Sequence, residues 1–373
     1  MKRIAFLMAG LAGLMMMSCN KEQGVAAPEE SKAKLELSFS MNLQKALTRA
    51  AGDAVVDTES ERKVNNYDIF AFRADGSLDA YYGAANPTQS GTDGAFTSGE
   101  FYVSNKTLDI YVIANGPASL KGAVTSKSTL SAAVSEFTQN TAANFVMVGY
   151  KQVNVLSLPE DANGKKNYDG IELERITNKV VLGNVKKNFD SPALQDADVT
   201  LLGAYIVMAN KSVKYTEVLL GGSNADVVPA AADASYYNCN SDNLESNALI
   251  SQAALNKTVT AAGVAVNQAY YFYPNPAVEA TDASDEDFVT KLVLKVQVGS
   301  EVYFYPIGMT QVAGAARNRI YEITQVTLRR PGNDIDEHDI NEYIDNAILT
   351  VEMTVKDWVS ADVTGSFNGD LLN

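Results

Sequence analysis

Few side chains in this sequence combine the residue types and spacing that chemistry needs. Asp334, Asp336, Glu337, His338 and Asp339 crowd together before the last strand-like run. Alternating oxygen ligands of that kind suit a hard cation such as calcium, but the EF-hand spacing and its closing glutamate are missing. A solvated acidic turn is the simpler reading. Asp282, Asp285, Glu286 and Asp287 form a second acidic cluster. Paired carboxylates do glycosidase work only when they face each other across a cleft, so this cluster reads as a loop at the end of a sandwich. His338 is the only histidine, and Cys19 and Cys239 are the only cysteines. That inventory leaves no histidine-based triad, no clustered zinc ligands and no disulfide framework. Gly221-Gly222 lacks the lysine and helix of a phosphate cradle, and there is no nucleophile elbow. The sequence therefore predicts no catalytic residues, no metal and no cofactor.

Charge narrows the partners further. The 373 residues carry a formal net charge of −15, the sign of nucleic acid and of acidic membrane surfaces, which makes both poor partners. With 46% hydrophobic and 20% charged residues, most of the chain can bury a core.

The chemistry that remains is processing chemistry. Lys2 and Arg3 precede an apolar run from Ile4 to Met17, too short and wrongly flanked for a retained membrane helix. Residues 1–18 read as a signal peptide. The run ends in Met17-Ser18-Cys19-Asn20, and a small residue directly before cysteine resembles a bacterial lipoprotein precursor. Cleavage before Cys19 and acylation of its thiol and new amine would anchor the protein firmly, since each buried methylene contributes about 0.8 kcal/mol. An ordinary secretory signal with an incidental cysteine is the plainer alternative. Asn20 in place of aspartate leaves sorting to the outer membrane open. Residues 19–31 form a polar, flexible tether. Cys239, left without a partner, is more readily buried or tolerated than catalytic.

From Lys34 onward the dominant signal has period two. Runs rich in valine, isoleucine and tyrosine include Tyr67–Phe72, Leu108–Ala114, Phe145–Tyr150, Lys179–Val185, Leu202–Met208, Ala269–Tyr273, Lys291–Val298, Val302–Ile307 and Arg319–Leu328. Only Ser128–Phe137 has a helical stripe, with Leu130, Val134 and Phe137 on one face. Many short strands separated by turns predict an all-β protein, two antiparallel β-sandwich domains in tandem with few short helices. The boundary is expected near residues 175–190, which divides the chain into an N-terminal sandwich over 32–180 and a C-terminal one over 181–373.

Two strands at opposite ends share one pattern. Leu35, Leu37, Phe39, Met41 and Leu43 alternate with polar residues, and so do Leu349, Val351, Met353 and Val355 before Trp358. Each can present one apolar and one polar face, as ordinary half-buried strands of their own domains also do. Between the first strand and the rest stands Leu47-Thr48-Arg49-Ala50-Ala51-Gly52, small and polar, the kind of segment where proteolysis is tolerated. A cut after Arg49 would release the lipid anchor and strand 35–43 together. The N-terminal sandwich would then show an open apolar groove that a strand of similar pattern from another copy can fill.

The order of motifs along the chain resembles the FimA-like fimbrillins, the subunits of type V pili. The segments that carry the resemblance are the lipoprotein signal, the first strand, the arginine site, Tyr67-Asp68-Ile69-Phe70-Ala71-Phe72, Asp109-Ile110-Tyr111-Val112-Ile113-Ala114-Asn115-Gly116, the run from Ile171 to Val180, Asn318-Arg319-Ile320-Tyr321-Glu322-Ile323, and the strand Val351–Trp358 with its tryptophan. The resemblance implies transthyretin-like sandwiches, export as a lipoprotein, and removal of the first strand by an arginine-specific protease. It also implies that C-terminal strands fill the groove of the next subunit. By position it makes Cys19 the lipid site, Arg49–Ala50 the scissile bond and residues 347–358 the donor candidate. The implied partners are other copies and related pilus subunits, the protease, the bacterial outer membrane through the precursor's lipid, and host or bacterial surface ligands in adhesion. The mature subunit would sit in surface fimbriae. The competing reading is a monomeric surface lipoprotein of the same sandwich class that keeps its first strand and binds glycan through exposed aromatic residues.

Overall fold

The computed structural model describes residues 31–41, 60–90, 95–216, 236–237, 248–275, 290–309, 317–334, 348–358 and 366–367. Their backbone is mostly extended, because short alternating runs of branched and aromatic residues fit a pleated, half-buried surface. The N-terminal strands are β1 (Lys32–Met41), β2 (Asn66–Phe72), β3 (Leu78–Ala85), β4 (Ala95–Thr97), β5 (Phe101–Ser104), β6 (Thr107–Ala114), β7 (Met147–Asn154) and β8 (Lys165–Arg175). They join in the order β3-β2-β6-β7-β8-β1-β4, with β5 also paired to β1.

Strand β8 is the joint that folds this sheet onto itself. Its last residues, Glu174 and Arg175, pair antiparallel with β7, whereas Lys165 to Leu173 run parallel to β1. Gly170, at φ +110°, is the extra residue where the β1 register steps from Asp169 to Ile171. A bulge with positive φ is a glycine position. The core between the two halves is built from the inward side chains of β1, from Ile69 and Ala71 of β2, Ile110 and Val112 of β6, and Ile171 and Leu173 of β8.

The remaining long strands are β9 (Asn178–Lys187), β10 (Val199–Val207), β11 (Val264–Phe272), β12 (Lys291–Val298), β13 (Glu301–Gly308), β14 (Arg319–Leu328) and β15 (Leu349–Asp357). One sheet runs β11-β9-β14-β15, closed by the short strand Ser366–Phe367, and the other is centred on β10-β12-β13. The fold is all-β, with β-sandwich packing. The opposite faces of β2 and β6, through Phe70, Phe72, Tyr111 and Ile113, join the same apolar cluster as Val180, Leu182, Ile320, Ile323 and Trp358.

Two pairings are parallel, β1 with β8 and β9 with β14, within an otherwise antiparallel arrangement of the long strands. Both join strands far apart in sequence, where no hairpin forces opposite directions. The helical stripe of Ser128–Phe137 is shorter than expected. A helix covers Lys127–Ala132, capped by Ser126, and then Val134–Glu136 turns extended to pair with Ser212–Lys214. A long-range ladder overrides the local preference there.

Candidate functional site

The first strand is central, not an edge. On one side β1 pairs with β8, setting Leu35 opposite Lys166, Leu37 opposite Tyr168, Phe39 opposite Ile171 and Met41 opposite Leu173. On the other side it pairs with β5 through Leu35–Phe101 and with β4 through Phe39–Phe96. Leu35 and Leu37 are 0% exposed, Phe39 1% and Met41 2%. The Phe39 ring meets Tyr67 edge-on at 4.8 Å and stacks on Phe96 at 5.9 Å. The Leu37 N–H donates to Ser98 Oγ at 2.9 Å, and the Ser98 N–H donates back to the Leu37 carbonyl at 2.8 Å.

The polar face of β1 is tied down more lightly. Lys34 pairs with Glu100 at 3.1 Å and Glu36 with Lys165 at 3.0 Å. Hydrogen bonding to Glu100 raises the Lys34 ammonium, and hydrogen bonding to Glu36 raises Lys165. Solvent reaches both pairs and screens them, so they contribute little. Burial of the four apolar side chains contributes about 6–12 kcal/mol as an upper bound, so the apolar face dominates the attachment of β1. With β1 absent, the site is a groove with an apolar floor and two unpaired strand edges, those of β8 and of β4–β5.

The other patterned strand, β15, lies in a weaker setting. It pairs antiparallel with β14 from Leu349–Leu328 to Asp357–Arg319. Among the described residues its outer edge meets only the short strand, at Met353–Phe367 and Thr354–Ser366. Leu349, Val351 and Met353 are half-buried in this sheet, and Val355 is buried. Trp358 holds the end of the strand. It is buried, its backbone N–H donates to the Asn318 carbonyl at 2.8 Å, and the Arg175 guanidinium lies 4.3 Å over its ring. Tyr271 stacks on the indole at 5.9 Å and Phe145 meets it edge-on at 5.7 Å.

A buried ionic cluster adjoins that tryptophan. Lys179 Nζ lies 2.7 Å from Glu61 Oε1, and both side chains are 2% exposed. The Tyr271 hydroxyl donates to the same Glu61 oxygen, and Arg175 Nε donates to the Glu61 carbonyl at 3.1 Å. The residues just after the expected cleavage segment are thus pinned beside the end of β15. Sequence reasoning missed this cluster. The available signal was Arg175, which continues the inward alternation of Ile171 and Leu173 with a charged side chain.

Cys19, Leu43, Arg49, Ala50, Cys239, the Asp282–Asp287 group, and Asp336, Glu337, His338 and Asp339 lie outside the described residues. Among the described residues, no group of three or more His, Cys, Asp or Glu side chains is placed to hold a metal ion.

The strands define a β-sandwich fold, and solved structures with cell-adhesion and fimbrilin names share it. Over residues 33–196 the sequence matches the family model described as Major fimbrial subunit protein (FimA), and over that stretch the chain is FimA-like. A candidate cell adhesion protein from Bacteroides eggerthii aligns over 87% of this chain and 96% of its own, with 21% identity and a TM-score of 0.58. A candidate cell adhesion protein from Parabacteroides distasonis aligns over 89% and 100%, with 15% identity and a TM-score of 0.62. A fimbrilin (FimA) from Porphyromonas gingivalis aligns over 88% and 99%, with 15% identity and a TM-score of 0.57. At these identities the likeness is one of fold. No curated protein sequence matches the chain.

Proposed function

We propose that this chain is a structural, non-enzymatic subunit of cell-surface fimbriae, built as two sandwiches over 32–180 and 181–373. It is exported as a precursor acylated at Cys19 and held at the outer membrane. Cleavage between Arg49 and Ala50 by an arginine-specific protease frees β1, and a C-terminal strand of another copy fills the groove. Subunits assembled this way form a filament that contributes to adhesion. The FimA-like sequence over residues 33–196 supports the family reading.

The observation that carries this reading is the position of β1. It is a fully integrated central strand, yet it is attached to the rest of the domain through a segment that includes Arg49. Once that segment is cut, only non-covalent contacts retain β1. The new N-terminal stretch remains fixed at Glu61 by the buried pair with Lys179. A groove at one place on the subunit and a donor strand at another make a head-to-tail contact that does not close, which is the condition for a filament. The lipid holds the precursor until the cut, and strand loss is then an irreversible switch.

The test is an Arg49→Ala precursor treated beside the wild type with an arginine-specific protease. The wild type is expected to lose residues up to Arg49 and polymerise, while the variant stays intact and monomeric. Equal polymerisation rates would overturn the reading and favour the glycan-binding lipoprotein.

A further inference from the structure

The groove and the C-terminal strand can be compared position by position, and the comparison selects one register and one direction. Strand β1 fills its sites in the order Ala33, Leu35, Leu37, Phe39, Met41, all buried. The C-terminal sequence offers Ala347, Leu349, Val351, Met353, Val355 at the same spacing. We propose that an incoming β15 lies in the same direction as the β1 it replaces, with Leu349 at the Leu35 site, Val351 at Leu37, Met353 at Phe39 and Val355 at Met41. The proposal rests on the strand-exchange reading above.

Two physical arguments favour this seating, and a third point, which favours a rival, is outweighed. First, size matches at each site: small at the Ala33 end, leucine on leucine, and losses of about a methylene where valine replaces a longer chain. Met353 would enter between Tyr67 and Phe96, the rings that now flank Phe39, where a thioether packs well. Second, the neighbouring seatings fail. Sliding the donor by two residues toward the start of the groove puts Leu349 on the Ala33 site and Asp357 on the buried Met41 site. Sliding it the other way puts Ala347 on Leu35 and Asp345 on Ala33. Reversing it sets Val355 against the Ala33 site and Ala347 in the Met41 site. Shifts by one residue turn Thr350, Glu352 and Thr354 into the core. Third, the first slide does gain one contact, because Glu352 would reach the place of Glu36 beside Lys165. That ion pair, at the half-buried surface, is a small term against a buried carboxylate, so packing decides.

The same comparison gives exchange its direction. In its own sheet β15 has, among the described residues, a full ladder on one side only, and Leu349, Val351 and Met353 are half-buried, Val355 alone being buried. In the groove it would gain ladders on both sides and complete burial. The bulge at Gly170 belongs to β8 and stays when the occupant changes.

Disulfide trapping reads the register directly. On the solvent face Ser38 sits opposite Thr97, which is exposed, and Glu352 takes the place of Ser38 in the proposed seating. Protein beginning at Asn20 in a Cys239→Ser background is made as a Thr97→Cys acceptor and, separately, as Thr350→Cys, Glu352→Cys or Thr354→Cys donors. After arginine-specific digestion, mixing and mild oxidation, Glu352→Cys is expected to give several-fold more cross-linked dimer than either neighbour. Strongest trapping with Thr354→Cys would establish the slide that reaches Lys165. Strongest trapping with Thr350→Cys would establish the opposite slide or a reversed strand; either result overturns the proposal. Fibres that trap with none of the three overturn it while leaving polymerisation intact. Failure of the cysteine-free digested protein to form fibres removes the strand-exchange reading itself.

Discussion

Replacing Phe39 by alanine separates the precursor from the polymer. The ring is 1% exposed and packs against both Tyr67 and Phe96, so its loss leaves a large cavity in the core of the N-terminal sandwich. Phe→Ala at such a site costs about 3–5 kcal/mol, and partial collapse of the site selects the lower end of that range. Urea denaturation of protein beginning at Asn20, with and without the substitution, measures this cost in the uncut state. After cleavage the residue leaves with β1, so fibres from the Phe39→Ala precursor should dissociate on heating in detergent at the same temperature as wild-type fibres. Met353→Ala is the reciprocal case. Met353 is half-buried in its own sheet but would be wholly buried in the groove of the next subunit, so fibres should lose more stability than the precursor. A precursor penalty below about 0.5 kcal/mol, the range of ordinary surface changes, would refute the burial argument. Phe39→Ala fibres that melt well below the wild type would show that β1 remains in the assembled subunit.

Further outcomes follow from the same contacts. Trp358 is the sole tryptophan and is buried against Arg175, Tyr271 and Phe145, so its emission should shift to the red if β15 leaves its sheet on assembly. An unchanged emission maximum in fibres would mean that the end of the strand stays in place. Glu61→Gln leaves the buried Lys179 ammonium without its carboxylate and should lower precursor stability by about 3–5 kcal/mol in denaturant melts, whereas a near-neutral effect would contradict the closed cluster. Burial pushes the Asp109 carboxyl up, but hydrogen bonds from Lys127, Tyr150 and Gln152 outweigh it and hold the group below its ordinary value of 3.8. A depressed acid stabilises the fold above its unfolded value and loses that contribution as pH falls through the folded one. Asp109→Asn should therefore flatten the acid limb of stability measured below pH 3.8, and an unchanged limb would exclude this carboxylate as a contributor.

Much of the strand content was legible because period two survives in single runs. Leu108–Ala114 and Lys291–Val298 are apolar at alternating or continuous positions, and both form strands. The partner of β1 was less legible. The first half of β8, Lys165-Lys166-Asn167-Tyr168-Asp169-Gly170, has no apolar alternation, yet Lys166 is buried, its ammonium donating to the carbonyls of Val155 and Leu156. A buried lysine satisfied by the main-chain oxygens of the preceding turn and by the Asn105 side chain leaves no apolar trace in the sequence. Direction was equally hidden, since the parallel pairing of β1 with β8 depends on how distant segments pack rather than on residues inside either strand. The alternation of Leu35, Leu37, Phe39 and Met41 showed which face of the first strand is apolar. That the strand would be central, with ladders on both edges, came only from residues far along the chain.

The most direct measurement takes soluble protein beginning at Asn20 through limited arginine-specific digestion, followed by intact mass, unboiled gel electrophoresis and negative-stain imaging. The account predicts a single cut after Arg49, loss of the peptide that carries β1, and a heat-sensitive ladder or fibres. A product cut at Arg49 that keeps the β1 peptide and stays monomeric at high concentration would contradict it.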